Sequence, residues 1–215
     1  MKNIGKSILE MGFTGRIGGV VFYYHRNQLC ARSLPAEVKA PSAPGQLAQQ
    51  ERMTSIAIFY HALKSAGLYA CWQKAAEGLP QNGYNLLVQT SLPAFDEEGK
   101  ICDFSKLQIT RGTLDLPCGL TLERNVPGEW VLEWEDVRRR NSTRGDDAVR
   151  LYVMKDEETF DVEPLETGGC RRGDGRCVFR IPEKYEEFPH LYVFFCSCTG
   201  EECSNSRYFL LTHKS

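Results

Sequence analysis

The stretch GFTGRIGGVVFYYHRNQLCARSLP, residues 12–35, gathers Gly12, Gly15, Gly18 and Gly19 around Arg16, ahead of a run of apolar and aromatic residues. Glycines beside a cation suggest a phosphate cradle. A P-loop, however, needs G-x-x-x-x-G-K-[ST] between a strand and a helix, with Lys on the phosphates, and a dinucleotide fingerprint also opens a helix. Here a β-branched and aromatic run follows the glycines, so the expected role of all four is structural, because glycine is the default residue where the chain must bend sharply.

The nine cysteines offer the next chemistry. Cys170, Cys177, Cys196, Cys198 and Cys203 lie close together in sequence and could suggest zinc. Structural zinc sites, however, usually show paired C-x₂₋₄-C spacings, and Cys-x-Cys within a strand is a poor chelator, though Cys196 and Cys198 share a face. The expectation is free thiols, with a Cys170–Cys177 disulfide as the alternative and no metal. The four histidines, His25, His61, His190 and His213, are scattered, and no H-E-x-x-H or G-x-S-x-G pattern occurs. GDD at 145–147 and EEG at 97–99 read as solvated acidic turns with too few oxygen donors for a cation. The basic run RRRNSTR at 138–144 reads as a loop tip, and the Arg-Gly-Asp within CRRGDGR at 170–176 as a turn. No catalytic constellation emerges, and neither an enzyme activity nor a cofactor is expected.

Composition is that of an ordinary globular chain: 215 residues, 42% apolar, 25% charged and a net charge of −2. No global field would recruit nucleic acid or an anionic membrane. Charge is nonetheless uneven, since residues 1–40 carry Lys2, Lys6, Arg16, Arg26, Arg32 and Lys39 against only Glu10 and Glu37. No apolar stretch has the length of a membrane span or the form of a secretion signal, so a cytoplasmic location with reduced cysteines is expected.

These residues need elements to position them. GGVVFYY and QLCARS read as a β-hairpin turning at HRNQ, with Val20, Phe22 and Tyr24 on one face and Val21 and Tyr23 on the other. The proline-rich SLPAEVKAPSAPGQ follows as a linker, with Ser42 and Pro44 as helix-start residues. Met53, Ile56, Tyr60 and Leu63 fall at helical spacing, widened by Ile58 and Phe59. LYACWQKAAEG and GYNLLVQTSLPAF continue as helices, and the polar DEEGKICD marks a domain boundary near residue 100. Beyond it the period becomes alternating. KLQITRG, CGLTLERN, EWVLEWED, AVRLYVM, RCVFRIP, HLYVFFCSC and SRYFLLT are seven short strands, the count of an immunoglobulin-like antiparallel β-sandwich. Trp130 and Trp134 share a face, and Trp134 is the candidate core aromatic. The fold class expected is α+β, a hairpin-plus-helix domain over 1–100 followed by a sandwich over 101–215.

The glycine stretch with its basic strand, the PSAPGQLAQQERM segment and the ending LYVFFCSCTGEECSNSRYFLL together resemble a family of functionally uncharacterised Bacteroidetes proteins. Its members carry G-x-x-G-[KR]-x-G-x-x-V, a basic strand ending near Arg-Ser-x-Pro, and an N-P-x-T-x-x-Q-x-x-x-R element. This chain has Ala40-Pro41-Ser42-Ala43 where the family often has Asn-Pro-x-Thr, and its arginine is displaced to Arg52. The resemblance implies a C-terminal fibronectin-III or immunoglobulin-like domain and no activity. The N-terminal half is also similar to segments of some phage virion proteins. The expected function is therefore a non-catalytic structural or interaction protein, for which this second resemblance implies a phage origin. Phe22, Tyr23, Tyr24, Arg26 and Arg32 are its candidate contact residues, and a protein partner or a second copy its expected occupant. Nucleic acid, held by the basic residues with the aromatics stacking on bases, is the alternative. Neither a membrane nor a small-molecule substrate is expected.

Overall fold

A computed structural model of the chain describes residues 14–25, 28–35, 43–126, 128–135, 145–155, 160–185 and 188–211. They belong to two compact units, Met1–Ser42 and Ala43–Ser215. Among the described residues are three α-helices and three antiparallel sheets holding ten strands, an α+β composition. None of those helices is long and apolar enough to cross a membrane.

The first unit holds one sheet, ordered β1 (Gly15–Ile17), β2 (Val20–His25) and β3 (Gln28–Ser33). The sequence predicts two strands here, and the glycine stretch supplies a third. Ile17 pairs with Val20, so Gly18 and Gly19 form the whole of a two-residue turn. Gly18 has φ +56°, the sign that such hairpin turns require at their first position and that side chains resist. A tight turn between antiparallel strands offers no helix N-terminus, so these glycines serve geometry. Gly15 is paired within β1 opposite Phe22, and Gly12 and Arg26 lie outside the described residues.

The second unit begins with helices α1 (Pro44–Ser65), α2 (Tyr69–Ala75) and α3 (Gly83–Ser91). Pro44 opens α1 in the position where its missing N–H is not needed, and Ser42 lies outside the described residues. Ile56, Phe59 and Leu63 form the buried stripe of α1, whereas Ile58 is half exposed. Asn82 caps α3, its side-chain oxygen accepting the Asn85 N–H at 2.8 Å.

Seven strands follow: β4 (Cys118–Val126), β5 (Glu129–Glu135), β6 (Ala148–Met154), β7 (Val162–Leu165), β8 (Arg176–Arg180), β9 (His190–Cys196) and β10 (Arg207–Leu210). They form a three-stranded sheet, β4-β5-β8, and a four-stranded sheet, β10-β9-β6-β7. One core lies between the sheets, where Leu132 and Trp134 of β5 and Phe179 of β8 meet Leu151 of β6 and Leu191, Val193 and Phe195 of β9. A second core lies on the other side of the four-stranded sheet, where Tyr192, Phe194 and Cys196 of β9 meet Ile56, Phe59, Trp72 and Leu87 of the helices. The unit is thus layered: helices, four-stranded sheet, three-stranded sheet. The polar loop 96–103 lies inside this unit; the buried Phe95 just before it and Ile101 within it join the helical core and bridge to each other.

Two strand expectations differ from the structure. VEPL, short and holding a proline, is the edge strand β7, a position proline tolerates because no ladder donor is needed there. KLQITRG is not a strand. It runs beside residues 203–206 through mixed bonds, Thr110 Oγ1 donating to the Ser204 carbonyl and the Gly112 N–H to the Asn205 side chain. Side chains replace a regular ladder there. The contact is close, because a Cβ on Gly112 would sit 1.9 Å from the Cys203 carbonyl oxygen.

Trp134 is buried against Phe195, their rings edge to face with centroids 5.5 Å apart, and its indole N–H donates to the Arg172 carbonyl at 2.8 Å. Trp130 is buried on the same face. Trp134→Ala should lower stability by about 3–5 kcal/mol, the range for a large core deletion, seen as an earlier midpoint in denaturant. A change below about 1 kcal/mol would mean that this core does not depend on the indole.

Candidate functional site

The register of the N-terminal sheet sorts its side chains. Val20, Phe22 and Tyr24 share a face with their cross-strand partners Leu29 and Ala31 and with Ile17 of β1. The opposite face carries Arg16, Val21, Tyr23, Cys30 and Arg32. Arg32 lies over the Tyr23 ring, 6.0 Å from its centroid, a geometry with cation–π character. The expectation of two apolar faces is therefore corrected: one face is apolar, while the other mixes aromatic and basic groups. No described residue of this unit is buried. Ile17 is 44% exposed and Tyr24 52%, high for large apolar groups on one face of a sheet. Of the expected contact residues, this sheet holds Phe22, Tyr23, Tyr24 and Arg32, and it separates them by face.

The second unit brings together three cysteines whose spacing gave no notice of it. Cys71 on α2, Cys196 at the end of β9 and Cys203 are all buried. Cys203 Sγ lies 2.6 Å from Cys71 Sγ and 3.0 Å from Cys196 Sγ. The Cys196–Cys203 approach follows from a short β-bridge. Ser204 N–H donates to the Phe195 carbonyl and Ser197 N–H to that of Glu202, leaving Cys196 and Cys203 as the non-hydrogen-bonded pair between them, where side chains come closest. Cys71 is added from the helical layer, which only the tertiary fold could do. Hydrogen bonds from Cys196 and Cys203 hold the Cys71 thiol below its ordinary range despite burial, while Cys203 is driven up by the same neighbours. The three thiols thus tolerate one negative charge and resist a second. Cys198, expected beside Cys196, is exposed beyond the end of β9. All nine cysteines are free, and no described group of His, Cys, Asp and Glu is arranged to hold a metal ion.

The Arg-Gly-Asp motif is structural. Arg172 and Asp147 are both 1% exposed, and the guanidinium Nε donates to the Asp147 carboxylate at 3.1 Å. A terminal nitrogen of Arg172 reaches the Asp115 carbonyl at 2.8 Å, and the guanidinium lies 4.5 Å from the Phe195 ring centroid. The arginine that a surface adhesion motif would display is therefore inside the protein. Asp147 also corrects the reading of GDD as wholly solvated. Sequence reasoning missed the pair because its members are 25 residues apart and each looks like a loop residue.

The remaining candidates stay apart. His190 is buried, stacked on Phe104 and hydrogen-bonded through Nδ1 to the Tyr208 hydroxyl at 2.9 Å. His25 and His61 are exposed on β2 and α1, and His213 and the basic run 138–144 lie outside the described residues. A cleft of about 790 Å³ beside β7 is lined by charges of both signs, Asp146 and Glu166 with Arg150, Arg171 and Lys184.

Arg172→Ala should cost about 3–5 kcal/mol, because it takes the cation away from a buried carboxylate. Urea unfolding measures this, and a variant as stable as the parent would show that the pair is not structural. In comparisons with known proteins, the chain matches no family model, no curated protein and no solved structure.

Proposed function

We propose that this protein is a non-catalytic structural or interaction protein, with the N-terminal sheet as its contact element and the second unit as an immunoglobulin-like recognition module. The observation that carries the reading is the apolar face bearing Ile17, Val20 and Tyr24, all substantially exposed on a sheet without a buried residue among those described. Large apolar groups gain stability when they are removed from water, so a face of this kind favours a covering surface, and an exposed sheet edge invites further pairing. The occupant is a protein surface, and a second copy of the chain is the one the face itself fits. Its described residues carry no charged side chain, so two such faces can stack without opposing like charges, which the Arg16 and Arg32 face would do. The resemblance of the N-terminal half to segments of some phage virion proteins agrees with a role in assembly.

The strand order supports the fibronectin-III form of the immunoglobulin-like sandwich for the second unit. Lettered in chain order, the strands fall into A-B-E and C′-C-F-G. The strand after C joins the C-F-G sheet, where a constant-type immunoglobulin domain would place a D strand with A-B-E. Such domains serve recognition widely, an analogy of fold alone.

A second reading, nucleic-acid binding, draws on Arg16, Tyr23 and Arg32 sharing the opposite face. Light scattering of the parent and of Tyr24→Asp, beside a DNA and RNA titration at low and high salt, separates the two. The assembly reading expects a mass above one chain for the parent, little changed by salt, and a return to monomer in the variant. A strictly monomeric parent whose nucleic-acid affinity falls steeply with salt, as counterion release dictates, overturns it.

A further inference from the structure

We propose that Cys71, Cys196 and Cys203 form a buried oxidation site in which Cys203 takes up a disulfide with Cys71, using hydrogen peroxide as oxidant. The geometry carries this. Cys203 is the shared neighbour of two sulfurs, at 2.6 and 3.0 Å. The two partners have different consequences. A Cys196–Cys203 bond would close only a seven-residue hairpin, whereas Cys71–Cys203 spans 132 residues and fastens the helical layer to the end of β9. Loop closure by a cross-link stabilises more as the loop lengthens, though only logarithmically, so the second bond raises the stability of the unit more than the first does.

The chemistry begins at Cys71. It is the most exposed of the three thiols and so the first that an oxidant reaches. Its thiol is also held below the ordinary range by hydrogen bonds from its two neighbours, and the thiolate is the nucleophile of thiol oxidation. Cys71 is 9% exposed and Cys203 3%, which favours an oxidant no larger than peroxide over a protein disulfide. The Cys71 thiolate attacks one peroxide oxygen, the O–O bond breaks, hydroxide leaves, and the sulfur becomes a sulfenic acid, oxidised by two electrons. Cys203 Sγ then attacks the Cys71 sulfur. The S–S bond forms, the S–O bond breaks, and the departing hydroxide takes the Cys203 proton as water. Two thiols and one peroxide give one disulfide and two waters. Cys196 stands where it can attack Cys203 in turn and release Cys71, an exchange with no net oxidation.

The test uses the full chain, folded and reduced, treated with one equivalent of hydrogen peroxide, alkylated, digested without reductant and read by mass spectrometry. The expected result is a peptide pair linking Cys71 to Cys203, a mass loss of two hydrogens, and a melting temperature that rises on oxidation and returns with reductant. Cys71→Ser should move the linkage to Cys196–Cys203 and reduce the thermal shift. Since the parent alone gives the linkage, the result does not depend on the variant folding. Oxidation confined to the exposed Cys102, Cys118 and Cys198, with the three buried thiols recovered as alkylated monomers after unfolding, overturns the proposal. So does stoichiometric zinc on the reduced protein, because the thiolates would then be ligands.

Discussion

Every residue of β9, His190–Cys196, is buried. A strand places alternate side chains on opposite faces, so one that is buried throughout needs cover on both sides. Leu191, Val193 and Phe195 face β5 and β8, while Tyr192, Phe194 and Cys196 face the helices. Each fully buried side chain of this kind contributes roughly 1.5–3 kcal/mol relative to exposure. Losing either layer would therefore expose three side chains at once, a loss comparable to a typical domain's whole margin of about 5–15 kcal/mol. The helices are for this reason part of the same unit as the sheets, and the layered order follows from one strand.

Polar groups secure the edges of this arrangement. Arg172 closes one end, where its side chain joins Asp147, the Asp115 carbonyl and the Phe195 ring, and its own carbonyl receives the Trp134 indole N–H. Residues 107–114 close another by running along 203–206, with the Trp72 indole N–H donating to the Ile109 carbonyl from the helical side. Buried donors and ions are costly without partners, so each of these contacts fixes a position as well as adding attraction. Cys203 lies in that second seam. The packing that seats Gly112 against its backbone also delivers its sulfur to Cys71 and Cys196.

The N-terminal sheet obeys the same rules with a different outcome. Its register is specified by the two-residue glycine turn and by the alternation of its residues, yet it buries none of its described residues. A sheet whose conformation is well specified but whose apolar face is exposed is suited to meeting another surface. That contrast between the two units is the physical ground for assigning the contact role to the first.

Much of this was legible in the sequence because its determinants are local. Helical spacing in α1, with proline and glycine signals at the helix ends, marks the three helices, and alternation marks six of the seven C-terminal strands, with Trp134 assigned to the inward face of EWVLEWED. The glycine run announces a turn, and Gly18 supplies it. What the sequence could not hold was any relation between distant residues. The continuous apolar run LYVFFC says that two covers are needed without saying that the helices provide one. Asp147 and Arg172 read as loop charges until folding buries them together, and Cys71 looks like an ordinary helix residue until α2 is laid over the end of β9. Side-chain pattern fixes each element, because propensity and periodicity act within a few residues. Burial, ion pairing and the meeting of three thiols are decided only in the tertiary structure, because they depend on which surfaces the chain brings face to face.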